Sequence, residues 1–310
     1  MAAGQTVPPL TDGLAKPFAA PDLVGITGWL NSKPLSMANL RGKVVLIDFW
    51  TYSCINCLRT LPHLEAWDEK YREDGLVIIG VASPEFKFEQ DIPNIKMAIA
   101  KYGIKYPIAV DSALATWANF KNQYWPAHYL IDKEGRVVNE HFGEGSYDVT
   151  ENNIRSLLGL RGTVSSQPEA SPFGGIQTPE TYLGSYRAER RTAFTDQTLP
   201  GDHWSIDGKW HVEAQRIVST AAGAELRLHF DARHVYLVLG APDGQPVDVK
   251  IRVIGKNTGE IAGKDVHDGV ITVREHRLYD LVDMGGPSDG IVQITAQGPG
   301  LEAYAFTFGN

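Results

Sequence analysis

The sequence predicts two domains of different class: an α/β domain built on a parallel crossover, then an all-β sandwich of jelly-roll type. Three observations predict them. Apolar runs suited to buried strands alternate with helix-period segments up to about residue 160. Residues 161–180 are rich in Ser, Pro and Gly, which is the composition of a linker. Beyond them, over 181–310, the apolar pattern changes to period two. A chain of 310 residues is long enough for two separate cores.

Residues 1–15 hold Gly, Pro and small residues and read as a flexible leader, so the α/β domain is placed at 16–160. Residues 25–29 and 35–40 read as a hairpin and turn. Residues 44–49 are apolar and β-branched except for Asp48, which fits a strand buried on both faces. Leu61, Leu64, Trp67 and Tyr71 then recur at near-helical spacing, with Glu65, Asp68, Glu69 and Lys70 between them for the solvent side. Residues 76–82 are a second buried strand, and the order strand, helix, strand implies a right-handed parallel crossover. Residues 88–103 read as a helix with Ile95, Ile99 and Tyr102 inward and Gly103 at its end. A strand over 107–111 and a helix over 113–120 follow. Residues 127–131 and 137–142 form antiparallel strands joined at Glu134-Gly135, and a helix over 150–158 closes the domain. In the all-β part, period two is carried by Leu226, Leu228 and Phe230, by Val235, Leu237 and Leu239, by Val247, Val249, Ile251 and Val253, and by Ala303, Ala305 and Thr307.

The chemistry centres on the chain's 2 cysteines, Cys54 and Cys57, which stand on the turn between the first buried strand and the helix. Unpaired backbone N–H groups and the helix dipole both favour an anion there. Cys54 is therefore expected to ionise more readily than a free thiol. Cys57, one turn inside, is expected to be less exposed and placed to attack a mixed disulfide formed at Cys54. Three other readings stay open. A zinc half-site would need two more ligands, but no second pair exists and His63 shares no obvious face with both sulfurs. A structural disulfide across so short a loop would constrain the unfolded chain by only about 2 kcal/mol. Inert core thiols have no reason to share a helix-start turn.

Charge narrows the classes further. With 29 basic and 37 acidic residues the net charge is −8, which argues against nucleic acid as a main partner. The notable basic cluster, Arg187, Arg190 and Arg191, is interrupted by Glu189. No run approaches the ~20 apolar residues of a membrane span. The first fifteen residues lack a charged start followed by an apolar core, so no signal peptide is expected within them.

Three motifs carry a resemblance. Asp48-Phe49-Trp50, then Cys54-x-x-Cys57, then Pro62 resemble the thioredoxin active-site strand, turn and helix. Leu-Arg-Gly-Lys-Val-Val-Leu at 40–46 and Trp-Pro-Ala-His-Tyr-Leu-Ile-Asp-Lys-Glu-Gly at 125–135 resemble the TlpA/ResA-type extracytoplasmic branch of that family. The resemblance implies a thioredoxin-like fold, with the 88–103 segment as the branch's insertion. It implies that Pro126 is a cis-proline against the cysteine pair and binds substrate together with Trp125 and Trp50. It makes Asp48 the proton acceptor for Cys57 and Glu85 an acid near the active site. It also implies no cofactor beyond the redox-active disulfide Cys54–Cys57, and no metal. Plainer readings remain, with Asp48 as a strand-end acid paired to a neighbour and Glu85 as a solvated carboxylate beside Lys87. Ser53 stands where thioredoxins have Trp, and Ile55-Asn56 replaces Gly-Pro, so no redox potential is implied.

The pairing of this domain with a tail containing Thr-Pro-Glu-Thr-Tyr-Leu-Gly at 178–184 resembles the extracytoplasmic region of DipZ-type proteins. That implies a periplasmic or cell-envelope thiol-disulfide oxidoreductase, reductive in direction, forming the soluble part of a membrane-anchored protein. A CcdA/DsbD-like membrane module would donate electrons, disulfide-bearing proteins would receive them, and cytochrome c maturation is one such setting. The tail resembles carbohydrate-binding modules, with Trp204, Tyr182 and Tyr236 as candidate sugar-stacking residues, although aromatic rings also dominate cores. The alternative function is a glycan- or partner-binding protein with the first domain as scaffold. Asp265, Asp268 and Asp283 fit turn chemistry better than a calcium loop.

Overall fold

A computed structural model describes residues 10–164, 177–194, 199–242, 245–256 and 258–309. The chain divides into two compact units, Met1–Glu169 and Ala170–Asn310.

The first unit runs β1 (Phe18–Ala19), β2 (Gly28–Leu30), β3 (Val44–Trp50), α1 (Ile55–Tyr71), β4 (Leu76–Ala82), α2 (Ile92–Tyr102), β5 (Ile108–Val110), α3 (Ala115–Asn119), β6 (Ala127–Ile131), β7 (Arg136–Phe142) and α4 (Tyr147–Leu158). Its strands form one sheet in the order β1-β7-β6-β3-β4-β5-β2. β3 is central, parallel to β4 and antiparallel to β6. All of β3 is buried. Val44, Leu46 and Trp50 pack beneath Leu61, Leu64 and Trp67 of α1, while Val45, Ile47 and Phe49 fill the opposite face. The edges of the Trp117, Phe120 and Tyr129 rings meet Phe49 there. Covering on both faces is why the run is continuously apolar, and it makes the acid within it, Asp48, conspicuous.

Several expected elements are redrawn. Residues 25–29 and 35–40 do not pair with each other: β2 adds antiparallel to β5, and Met37–Leu40 is a 3-10 turn capped by Ser36. The apolar pattern marks a strand without naming its partner. The 88–103 segment is a 3-10 turn, Lys87–Gln90, followed by α2, which has Pro93 in its first turn, where a missing N–H costs nothing, and ends on Gly103 at φ 75°. Of the expected leader, residues 1–9 lie outside the described residues, but 10–14 are fastened to the domain. The Thr11 N–H donates to Asn153 Oδ1 at 2.9 Å, the Leu14 N–H to the Val138 carbonyl at 2.7 Å, and Leu10 packs on the core. Within the expected linker, 165–176 lie outside the described residues. Its ends are held, since Val164 bonds with Asn152 and the Thr178 N–H donates to the Asp231 carbonyl at 3.0 Å.

The second unit comprises β8 (Thr181–Tyr182), β9 (Trp204–Asp207), β10 (Trp210–Val212), β11 (Ile217–Ser219), β12 (Glu225–Gly240), β13 (Val247–Val253), β14 (Val270–Val273), β15 (Arg277–Ala296) and β16 (Glu302–Gly309). It is all-β, as expected, and its strands form one curled antiparallel sheet around a single core. The cause is strand length. The 226–230 and 235–239 runs belong to one 16-residue strand, β12, which pairs along its length with the 20-residue β15. The first part of β12 bonds to β9 and its last part to β16, with register shifts between them that bend the strand around the core.

Candidate active site

Cys54 is the N-cap of α1. Its backbone is extended, at φ −87° and ψ 116°, and its Sγ accepts the Cys57 N–H at 3.3 Å, the role a Ser or Asp oxygen fills at most helix starts. Cys54 is half-buried and Cys57 only 1% exposed, and both are free thiols. Burial pushes the Cys57 thiol well above its ordinary range, and the hydrogen bond to Cys54 and that group's charge add to the rise. A backbone hydrogen bond at Thr51 works the other way, while Asp48's charge raises it further. Cys57 therefore keeps a proton that must leave before its sulfur can attack.

The Trp125–Pro126 peptide is cis, and the Pro126 carbonyl accepts the Gly143 N–H at 2.8 Å. Trp125 is half-buried. Its Nε1 donates to the Ser83 carbonyl at 2.9 Å and its ring lies 4.1 Å from Trp117, so it ties the proline loop to the end of β4. Arg59 of α1 meets Glu144 beyond β7 at 3.1 Å, joining the helix start to the segment that backs Pro126. The expectation that Trp50 touches substrate fails. Its ring is buried under α1, because alternate residues of β3 point to that face.

Asp48 is buried on the Cys57 face, with Gly80 of β4 and His128 of β6 as its cross-strand neighbours. Glu85 is half-buried and its N–H donates to a second acid, Glu89, at 2.6 Å. Glu89 is the residue the sequence reading missed. It accepts from the Phe86 N–H at 2.9 Å and from the Ser53 hydroxyl, so it fastens the turn just ahead of Cys54 to the 87–90 segment. As the third residue of that turn reaching back to its cap, it is the acidic half of a capping box. Phe at position 86, where the pattern wants Ser or Thr, hides the signature.

Burial, then the charge of Glu85, pushes the Glu89 carboxyl up to about 7, against the hydrogen bonds from Ser53, Thr51 and Phe86. Folding thus strengthens its hold on a proton. The associated stability is full below its ordinary value of 4.5 and is lost as pH rises through about 7. Glu89→Gln is expected to flatten this fall, at most on the order of 3 kcal/mol, in urea midpoints measured across that window. An unchanged pH slope would remove Glu89 as its source.

The three candidate sugar residues are not brought together. Trp204 is 0% exposed and its Nε1 donates to the Glu189 carbonyl at 2.7 Å, so its ring is core and unavailable for stacking. Tyr182 and Tyr236 are half-buried and stand opposite Ala305 and Thr307 on either side of β16, on one face. Arg187 lies over Tyr182 at 3.4 Å, and the Tyr236 ring stacks with His234. Asp265 pairs with Arg277 at 2.8 Å, Asp283 with Arg233 at 3.2 Å, and Asp268 holds a turn at φ 51°. Among the described residues no group of three or more His, Cys, Asp or Glu is arranged to hold a metal, and no helix is long and apolar enough to cross a membrane.

Comparison with known proteins extends this geometry. Residues 2–158 match the family described as Redoxin, and residues 178–309 the family described as Thioredoxin like C-terminal domain. Protein DipZ of Mycobacterium tuberculosis (strain CDC 1551 / Oshkosh) is 37% identical over 319 residues, covering 94% of this chain and 43% of that protein. The chain thus spans less than half the length of this relative. Thiol-disulfide oxidoreductase YkuV of Bacillus subtilis (strain 168) is 32% identical over 138 residues, or 44% of this chain and 93% of YkuV. Thiol-disulfide oxidoreductase ResA of Bacillus thuringiensis (strain Al Hakam) is 30% identical over 128 residues, or 41% of this chain and 71% of ResA. The capped cysteine pair and cis-proline loop therefore sit in a sequence that matches such proteins along its first half, and the chain belongs to the Redoxin family, on a thioredoxin-like fold.

Proposed function

We propose that this chain is a thiol-disulfide oxidoreductase that reduces protein disulfides through Cys54 and Cys57. One observation carries the reading: a half-exposed cysteine caps a helix while the second, buried and held in its protonated form, stands one turn behind it. The Cys54 thiolate attacks one sulfur of the client disulfide, the client S–S bond breaks, and a client thiolate leaves. Asp48 then takes the Cys57 proton, and the Cys57 sulfur attacks Cys54 Sγ. The second client thiolate departs, and two electrons have passed to the client. Pro126 and Trp125 form the edge along which an extended client segment lies, and Glu85 lies near the cysteine turn.

The likeness to DipZ favours a reductive direction, an extracytoplasmic location as part of a membrane-anchored protein, and a CcdA/DsbD-like electron donor. Cytochrome c maturation is one process that consumes such electrons. The glycan-binding alternative has only Tyr182 and Tyr236 in its favour once Trp204 is in the core.

The test is a trap. The Cys57→Ser chain mixed with insulin is expected to accumulate a one-to-one adduct through Cys54, released by dithiothreitol, because resolution is blocked. Absence of any adduct at Cys54 would defeat the proposal.

A further inference from the structure

The acid beneath the cysteines has a polar neighbour of its own. Asp48 is 1% exposed, and neither of its oxygens accepts a hydrogen bond among the described residues. His128, 2% exposed, places Nε2 3.3 Å from Asp48 Oδ1. The cross-strand partner of His128 on β7 is His141, and the two rings stack with centroids 6.1 Å apart and planes 25° apart. One level of the sheet therefore reads Gly80, Asp48, His128, His141 across β4, β3, β6 and β7, on the face Cys57 covers. β1 pairs with β7 only at residues 136 and 137, so at His141, which is half-buried, β7 is the sheet's outer strand.

A carboxylate buried without donors is costly unless a titratable partner can share its proton. β4 cannot supply one, since a Cβ at Gly80 would stand 2.5 Å from Ile108 Cδ1 and 3.0 Å from Trp50 Nε1. Tyr106 also faces this space, but burial and then the charge of Asp48 push its phenol well above the ordinary range, so it stays neutral. From α1 come Cys57 and, acting on Tyr106, Glu65 and Asp68. α4 turns Thr150, Asn153 and Ile154 inward, none of them titratable. Among these groups the base in reach of Asp48 is His128.

We propose that Asp48 and His128 form a proton path serving Cys57, in which His128 Nε2 takes up the proton that Asp48 receives from the Cys57 thiol. The inference rests on the thiol-disulfide reading above. As the Cys57 S–H bond breaks, its proton goes to Asp48 and its electron pair to the new bond with Cys54 Sγ. The proton then moves to His128, behind which the half-buried His141 ring is stacked on the outer strand. His128 is a positioning residue, because it reaches the sulfur only through Asp48.

Reaction of the reduced full chain with 5,5′-dithiobis(2-nitrobenzoate) separates the steps. The first coloured thiolate reports attack by Cys54, and the second reports resolution by Cys57. His128→Gln is expected to leave the first phase unchanged and slow the second by about a hundredfold, the low end of what a positioned proton acceptor contributes. It should also remove an inflection from the pH profile of the second phase. Asp48→Asn should behave likewise, and the double variant should be no slower than the slower single, as groups acting in series require. A wild-type pH profile in His128→Gln, or losses that multiply in the double variant, would overturn the path. Should His128→Gln fail to fold, the unaltered chain still decides. At one fixed pH its His128 ring nitrogen resonances are expected to differ between the dithiol and disulfide forms, and identical resonances would refute the proposal. Loss of both phases in the unaltered chain would instead strike at the thiol-exchange reading itself.

Discussion

Replacing Cys54 by serine is expected to bring insulin disulfide reduction, driven by dithiothreitol, down to the rate without protein. A serine hydroxyl is a poor nucleophile toward sulfur in the absence of a strong base, and Cys57 cannot substitute because only 1% of it is exposed. The variant should nevertheless fold as the parent does. Serine is among the preferred helix N-caps, and its oxygen can accept the Cys57 N–H that the sulfur now takes. Unchanged melting together with lost turnover is therefore the expected pair of results. Equal turnover in the two proteins would refute the assignment of Cys54 as nucleophile.

Trp204→Ala is expected to destabilise the second unit by about 3–5 kcal/mol, the range for emptying a buried aromatic site. The ring lies in the core with Leu226, Leu228 and Phe230, and its strand β9 pairs with β12 over Trp204–Asp207. The variant also strands the Glu189 carbonyl that accepts from Nε1. Against a domain stability of roughly 5–15 kcal/mol, such a loss brings the unit close to its unfolding threshold. Urea unfolding should show the second unit's transition at much lower denaturant while that of the first unit stays in place. A change below about 1 kcal/mol would mean that the ring does not fill the core as described. Any loss of sugar binding in this variant would then report unfolding, not a missing contact.

What could be read in advance divides along physical lines. The strand, turn and helix around Cys54 were legible because burial on both faces of β3 and on one face of α1 imposes local apolar patterns. The cysteine pair was legible from its spacing and position, and the loop at Trp125-Pro126 from its motif. Glu89 was not, because its role depends on a backbone N–H whose residue, Phe86, gives no capping signal. His128 lies in Ala-His-Tyr-Leu-Ile, an ordinary strand segment, and acquires meaning only when β6 lies beside β3. The length of β15 was hidden by Gly285-Gly286-Pro287, which reads as a turn, whereas the strand runs on past it and its pairing with β12 resumes on either side, at Asp283 and Ser288. Trp50 and Trp204 show the same limit in another form, since a pattern says that an aromatic is wanted but not which face of the sheet it will occupy.

One sulfur in this protein does two jobs, and they are not independent. Cys54 Sγ accepts one of the orphan N–H groups of α1 and, in the function proposed above, is also the atom that exchanges electrons. As a thiolate it is a strong acceptor for the Cys57 amide, whereas sulfur bonded to sulfur is a feeble one. A change of oxidation state at Cys54 therefore changes the strength of the bond that caps α1.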